Sequence, residues 1–223
     1  IRKINTSTKK PFGVNFIPRF IEMRHIEICV EEKVPLVIFF WDDTPIAYLN
    51  FLKQHDIKIW IQVGSLAEAR TAVDSGADAV IVQGSEAGGH NRSTAATFSL
   101  LPSVVESIAP VPVIAAGGIA DGRGLAAALA LGAEAVSIGT RLVASQEANA
   151  HDFYKQSIIN ASVHDTARHN IFGYDFPDAT VRGLRNEIVR EWEGRDNPPP
   201  YQSSDPESQP IIGETNLFGQ TTP

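Results

Sequence analysis

Apolar and polar positions along the chain fall into two alternating signatures. One is a short continuous apolar run. It recurs at Pro11–Phe16 (PFGVNF), Val34–Trp41 (VPLVIFFW), Lys58–Val63 (KIWIQV), Ala79–Val82 (AVIV), Val111–Ala116 (VPVIAA) and Ala135–Ile138 (AVSI). Runs this short, rich in β-branched and aromatic residues and bounded by Gly, Pro or Asp, predict strands. Val34–Trp41 reads as a parallel strand buried on both faces. The other signature is apolar residues three and four apart, which predicts helices between the strands. It covers Arg19–Glu31 (Phe20, Met23, Ile26, Val30), Thr44–His55 with Pro45 at its start, Ser65–Ser75, Leu100–Ile108, Asp121–Leu131 and Glu147–Asn160. Ser65 and Glu68 have the spacing of a capping box. Gly76 and Gly132 stand where two of these helices should end.

Strand starts near 11, 34, 58, 79, 111 and 135 make a βα repeat of roughly 23 residues, which predicts a parallel α/β architecture. An open, doubly wound sheet has the same spacing. Chemistry-bearing residues at the ends of successive strands, and glycine turns after the last two, favour a TIM (β/α)8-type barrel. Six βα units are countable where a closed barrel needs eight, so the expectation is a barrel whose first two units lie before Ile1. Residues 11–160 are expected to form the barrel portion and 161–223 a C-terminal helical and irregular extension. Within the extension, Arg182–Trp192 reads as an amphipathic helix with Leu184, Ile188 and Trp192 on one face. Asn197–Pro210, rich in proline, reads as extended or disordered. Ile211–Pro223 shows no terminal element.

Composition narrows the classes. A hydrophobic content of 43% in 223 residues suits a sizeable core. The formal net charge is −7, and no basic run follows Lys9-Lys10, which argues against nucleic acid and anionic membrane surfaces as partners. Cys29 is the only cysteine. No intrachain disulfide is possible, and a reducing, cytoplasmic setting is expected. No stretch is long and apolar enough to span a bilayer, and the opening IRKINTSTKK lacks the apolar segment of a signal peptide.

The candidate chemistry centres on Ala79–Arg92 (AVIVQGSEAGGHNR). An apolar strand there runs into glycines and a single imidazole, the way a barrel strand delivers a reactive group to its C-terminal mouth. Gly84, Gly88 and Gly89 permit a close backbone approach. An imidazole exchanges protons near neutral pH, so His90 is a candidate acid–base residue. The other histidines (His25, His55, His151, His164, His169) read as solvated or structural. Gln62 and Gln83 are amides in or just after apolar strands. A buried amide without partners is costly, so each must meet either a ligand with donors and acceptors or a hydrogen bond inside the barrel. Trp41 and Trp60 read as core, Asp42-Asp43 as a cap for the next helix, and Glu86 as a support for His90 or a solvated residue. Gly117-Gly118 and Gly139-Thr140 follow neighbouring strands. Their N–H groups, with a helix beginning at Asp121-Gly122-Arg123, could cradle a phosphate. There is no metal-ligand spacing, no GxSxG and no GxGxxG before a helix.

The runs QGSEAGGH (83–90), AAGGIADGRGLAAALALGAEAVSIGTR (115–141) and PFGVNF (11–16) together resemble the nitronate monooxygenase family, formerly called 2-nitropropane dioxygenases. The resemblance covers Pro11 to Trp192. It implies a TIM barrel that binds FMN, with a smaller second domain built largely from the C-terminal part. It implies oxidation of alkyl nitronates, and in some members nitroalkanes, by O2 to a carbonyl compound and nitrite. His90 matches the family's base. Asn15, Gln62 and Gln83 match strand-end positions near the flavin. Gly88 and Gly89 match the turn that lets the backbone approach it, and Ala116, Gly117, Gly118, Gly139 and Thr140 match the phosphate turns. Three features depart from the pattern: the first two strands are absent, family members are expected to continue past Pro223, and Asn91-Arg92-Ser93 follow His90 where many relatives have glycine. Two other readings stay open. One is an enoyl-reductase-like flavin oxidoreductase using NAD(P)H. The other is a non-catalytic paralogue or fragment, whose open sheet edge at Pro11–Phe16 would invite association with a partner or into a homo-oligomer.

Overall fold

The computed structural model describes residues 1–41, 44–171, 176 and 179–194, and the backbone of 215–217 and 220–222. Contacts divide the chain into two compact units, Ile1–Ser85 with Ser93–Ser137, and Glu86–Arg92 with Ile138–Pro223. The division therefore differs from the expected one at residue 160. The short segment around His90 belongs with the C-terminal unit.

The first unit is a six-stranded parallel sheet. A short helix α1 (Arg2–Ser7) precedes it. The strands and helices then alternate as β1 (Gly13–Phe16), α2 (Met23–Glu31), β2 (Leu36–Phe40), α3 (Ile46–Gln54), β3 (Lys58–Val63), α4 (Leu66–Asp74) and β4 (Ala79–Gln83). After the second unit's β5 (Gly89–Asn91) come α5 (Thr97–Ile108), β6 (Val113–Ala116), α6 (Gly122–Ala130) and β7 (Ala135–Ser137). The sheet order is β1-β2-β3-β4-β6-β7. Each strand lies beside the next parallel one, so the winding never reverses. That excludes the doubly wound alternative and leaves the singly wound order of a (β/α) barrel. β1 and β7 are the edges.

Two of the cores follow from strand alternation. On one face, Val37, Phe39, Ile59, Ile61, Val63, Val80, Val82, Val113 and Ala115 pack with Ile26, Cys29, Leu49, Leu52, Leu101 and Val104 from the helices. On the other, Ile38, Trp60, Ala79, Ile81, Ile114 and Ala116 form a smaller cluster. Strand β2 is fully buried on the helix side only, and its opposite face is half-buried. The two-faced burial read from VPLVIFFW is thus one-sided. Local signals hold where they rest on side-chain chemistry. Ser65 accepts a hydrogen bond from the Glu68 amide, and Glu68 closes the cap on the amide of Gly64, one residue further out than the usual reciprocal partner (2.7 Å). The expected helix at Arg19–Glu31 is broken in two. Residues Pro18–Phe20 form a single 3-10 turn, and α2 starts afresh behind a box in which Glu22 and His25 cap each other. The expected Asp42-Asp43 cap lies outside the described residues.

The second unit begins with β5 and continues with α7 (Thr140–Val143), α8 (Asp152–Asn160), β8 (Thr166–His169), β9 (Thr180–Leu184) and α9 (Glu187–Glu193). Its three-stranded antiparallel sheet has the order β5-β9-β8. Ala167, Ile171 and Val189 form its core, with Trp192 packed against them. The expected helix at Arg182–Trp192 is corrected here. Leu184 ends a strand, and only Glu187 onward is helical, behind an Asn186 side chain that accepts from the Val189 amide. The C-terminus also carries an element, a small hairpin of β10 (Thr215–Leu217) and β11 (Gln220–Thr222). Strands of three residues are too short to show a period. Residues 197–210 lie outside the described residues. Among the described residues no helix is long and apolar enough to cross a membrane.

Candidate active site

In the first unit, sheet register gathers the strand-end polar residues on the face opposite the helices. One row runs Phe40, Gln62, Ile81, Ile114, Ala135. The next row toward the C-terminal ends runs Gln83, Ala116, Ser137. Asn15 pairs with Ile38, one row below Gln62. Asn15, Gln62, Gln83 and Ala116 therefore share one face, stepping up row by row as strands do in a staggered barrel. Asn15 is exposed on its edge strand, while Gln62 is 4% exposed. The Nε2 of Gln62 is buried and has no acceptor. An amide donor left this way among Phe40 and Ile81 costs about 1–3 kcal/mol unless a ligand accepts from it. Trp60 packs on the same face as core, as expected. Trp41 is also buried, but its φ is +67°. A left-handed tryptophan is a strained backbone state, and it occurs just past β2, where the Trp41 amide donates to the Gln62 carbonyl (3.0 Å).

The turn after β6 is also in this unit. Gly117 and Gly118 have φ of +102° and +71°, conformations that glycine adopts without strain. Their neighbour Gly84 serves another purpose. A Cβ there would lie 2.5 Å from the Thr97 amide nitrogen, so glycine lets β4 touch the start of α5. The Thr97 hydroxyl lies 3.4 and 3.2 Å from the carbonyls of Ala116 and Gly117 and so fixes the turn. Sequence reading missed Thr97 because it placed the start of that helix at Leu100. It also offered the N-terminus of α6 to a phosphate, and the structure withdraws that. Asp121 accepts from the amides of Arg123 and Gly124 (2.9 and 3.2 Å) and is ion-paired to Arg123. A carboxylate already occupies the positive end of the helix. Hydrogen bonds from Arg123, then from the Gly124 amide, hold the Asp121 carboxyl below its ordinary pKa.

The second unit holds the remaining candidates. His90 does not end a turn: it is the centre of β5, directly opposite Val181. Its ring lies 4.2 Å from that of Phe176, tilted by 40°. The Asn91 side chain is fully buried and donates to the Ala87 carbonyl (2.9 Å), which closes the segment carrying Gly88, Gly89 and His90. Gly89 has a φ of +80° and open space where a side chain would stand. A Cβ on Gly88 would collide with the Thr140 hydroxyl, so these two candidates sit together. Gly139 caps α7, a helix of four residues. Glu86 is exposed. Of the two readings open for His169, solvated or structural, the second fits: it is buried on β8. It opposes Val181 from the other side, so His90 and His169 flank one valine on one face. Burial lowers the pKa of His169, Glu193 partly offsets this, and His90 lowers it further.

The nitronate monooxygenase family model matches residues 18–215. The chain belongs to the nitronate monooxygenase family. A probable nitronate monooxygenase of Staphylococcus aureus (strain MSSA476) is 36% identical over 176 residues, covering 75% of this chain and 48% of the relative. The chain thus spans about half the length of the curated nitronate monooxygenases it matches. FabK from Thermotoga maritima has a TM-score of 0.76 at 43% identity over 85% of this chain and 59% of that one. The nitroalkane oxidase of Streptomyces ansochromogenes has a TM-score of 0.74 at 26% identity, covering 86% and 66%. The family is one of oxidoreductases, in accord with the sequence resemblance and with the barrel-type winding of the sheet.

Proposed function

We propose that this chain binds FMN and supports the oxidation of alkyl nitronates, and of neutral nitroalkanes, by O2 to a carbonyl compound and nitrite. The observation that carries the reading is the buried, acceptor-less Nε2 of Gln62 at the C-terminal end of a barrel-type sheet. The ring carbonyls and nitrogens of a flavin are acceptors for such a donor. Gln83, with Asn15 on the same face, would contribute further amide contacts. Gly117 and Gly118, with Ala116 before them, and Gly139-Thr140 would present backbone N–H groups to the phosphate. Gly88 and Gly89 would keep side chains out of the ligand's way. When bound, FMN supplies the electron acceptor between substrate and O2.

His90 acts as the base in this reading. It removes a proton from the carbon that bears the nitro group, and Phe176 and Asn91 hold its ring and its strand in place. A nitronate arrives already deprotonated and does not need that step. Replacing His90 by Asn should therefore lower turnover of a neutral nitroalkane by about 10²–10⁴-fold, as for loss of a general base, and leave nitronate oxidation largely intact. The test is nitrite release from both forms of one substrate, after recording whether the purified chain is yellow or takes up added FMN. A colourless chain that binds no FMN overturns the reading, and so does equal loss with both substrates. The second unit is assigned in the same reading as the smaller domain. An enoyl-reductase-like flavin enzyme using NAD(P)H is the second reading. What favours it is the higher identity to FabK than to the nitroalkane oxidase. Rapid anaerobic bleaching of the flavin by NAD(P)H would select it.

A further inference from the structure

The connection from β2 to α3 and the strand end beside it carry three features that packing alone does not explain. The first is the left-handed backbone of Trp41, whose φ is +67°. Strain of this kind at a bulky residue persists only where the surroundings enforce it, and it gathers at ligand sites. The second is Thr44, three residues on. It is half-buried, and its hydroxyl oxygen is shut off from solvent with no hydrogen-bond partner among the described residues. The third is the Gln62 Nε2 at the neighbouring strand end, buried and without an acceptor. Register and backbone tie the three together. Phe40 pairs with Gln62, and the Trp41 amide donates to the Gln62 carbonyl (3.0 Å). Three residues of chain reach at most about 10 Å, so Thr44 lies within that span of Trp41. All three residues belong to the first unit.

A buried polar group without a partner is costly. Two of them at adjacent strand ends call for one occupant that serves both. The orphan on Gln62 is an N–H donor, whereas the Thr44 hydroxyl both donates and accepts. The occupant needs an acceptor for Gln62 and, beside it, a group for the hydroxyl. The pyrimidine edge of a flavin has that order: a carbonyl, the N3–H, then a second carbonyl. An anion is a poorer match. The row neighbours of Gln62 are Phe40 and Ile81, and a charge buried among apolar groups is costlier than a neutral amide. We propose that Thr44 is a flavin-binding residue, its hydroxyl accepting from the ring N3–H while Gln62 Nε2 donates to the adjacent carbonyl. The inference rests on the FMN reading above and adds to it which edge of the ring β2 and β3 hold. Thr44 sets the position and affinity of the ring and takes no part in proton transfer.

The test titrates FMN and 3-methyl-FMN, which lacks the N3–H, into the unmodified chain, Thr44→Val and Thr44→Ser, with flavin fluorescence as the readout. Thr44→Val should bind FMN about three- to ten-fold more weakly, the loss of one hydrogen bond. Thr44→Ser keeps the hydroxyl and should stay close to the parent. The unmodified chain should prefer FMN over 3-methyl-FMN. In Thr44→Val that preference should shrink by the factor the substitution costs with FMN. Thermal unfolding without flavin is the second readout. Flavin-free Thr44→Val should melt no lower than the parent, because the hydroxyl it removes has no partner. Equal FMN affinity in parent and Thr44→Val, an equal preference between the two flavins in both, or a lower Tm for flavin-free Thr44→Val overturns the proposal and leaves the FMN reading standing. If Thr44→Val does not fold, the unmodified chain decides: a preference for FMN over 3-methyl-FMN supports the proposal, and equal binding overturns it. A chain that takes up no FMN overturns both.

Discussion

Replacing Gln62 by Leu should change the chain in opposite directions with and without flavin. Gln62 is 4% exposed, and its Nε2 has no acceptor. Its row neighbours are Phe40 and Ile81. A buried donor without a partner costs about 1–3 kcal/mol, and an apolar group of similar size does not incur that cost. The flavin-free Gln62→Leu chain should therefore be more stable than the parent by about 1–2 kcal/mol. For a chain of this size that is a rise in Tm of roughly 3–6 °C. With FMN the sign reverses, because the parent gains a hydrogen bond that the variant cannot make. The affinity for FMN should fall about ten-fold, which corresponds to 1.4 kcal/mol. Differential scanning calorimetry with and without FMN, and fluorescence titration of FMN, measure both. A lower Tm for the flavin-free variant would show that the carboxamide is satisfied inside the folded chain, and the main support for the flavin site would be gone.

Other predictions follow from packing and protonation. Gly84→Ala would place a methyl 2.5 and 2.7 Å from backbone atoms of Thr97; urea denaturation should show a loss of about 3 kcal/mol, at the upper end of overpacking costs, and unchanged stability would refute the close approach. His169 has a lowered pKa in the folded chain, chiefly from burial. The unfolded chain takes up that proton first as pH falls through 6.5, so this contribution to stability is present above 6.5 and is lost below it. His169→Gln should flatten the acid limb of a stability–pH curve, and an unchanged limb would assign the loss to other groups. The Cys29 thiol is pushed up from 9.0 to about 11 by burial. Its contribution is present below pH 9.0 and lost as pH rises toward about 11. A thiol reagent at neutral pH should label it only on unfolding, and fast labelling of the native chain would contradict its burial.

The parallel sheet was legible because each of its strands contributes a contiguous apolar run whose meaning is local. KIWIQV predicts β3 to the residue, and Ser65 with Glu68 marks a helix start through a hydrogen bond within four residues. Errors lie where tertiary context overrides such signals. Pro102 sits inside α5, and the helix starts at Thr97 because its side chain meets the Ala116 and Gly117 carbonyls, a contact no local pattern announces. Arg182–Trp192 has helical spacing, yet its first part is drawn into a strand by pairing with β5 and β8, and only the segment behind the Asn186 cap follows its own periodicity.

The same distinction separates two kinds of site residue. Gln62 and Gln83 announce themselves, because a polar side chain in an apolar strand is an anomaly at its own position and alternation says which face it joins. His90 was legible as a residue but not as an environment. A three-residue strand has no period, and the sequence around it shows only glycines. What positions the imidazole is β9: Val181 opposite it and, one residue along, Thr180, whose hydroxyl reaches the Asn91 carbonyl across 89 residues of sequence. The histidine beyond Val181, and the opposition of Arg168 and Arg182 on the reverse face, exist only once β8 and β9 have paired. A strand pairing places alternate residues on opposite faces, so one register puts His90 with His169 on one side and Arg182 with Arg168 on the other. A one-residue slip of β9 would exchange these sets, so the register of this small sheet decides whether His90 has Val181 or Arg182 beside it.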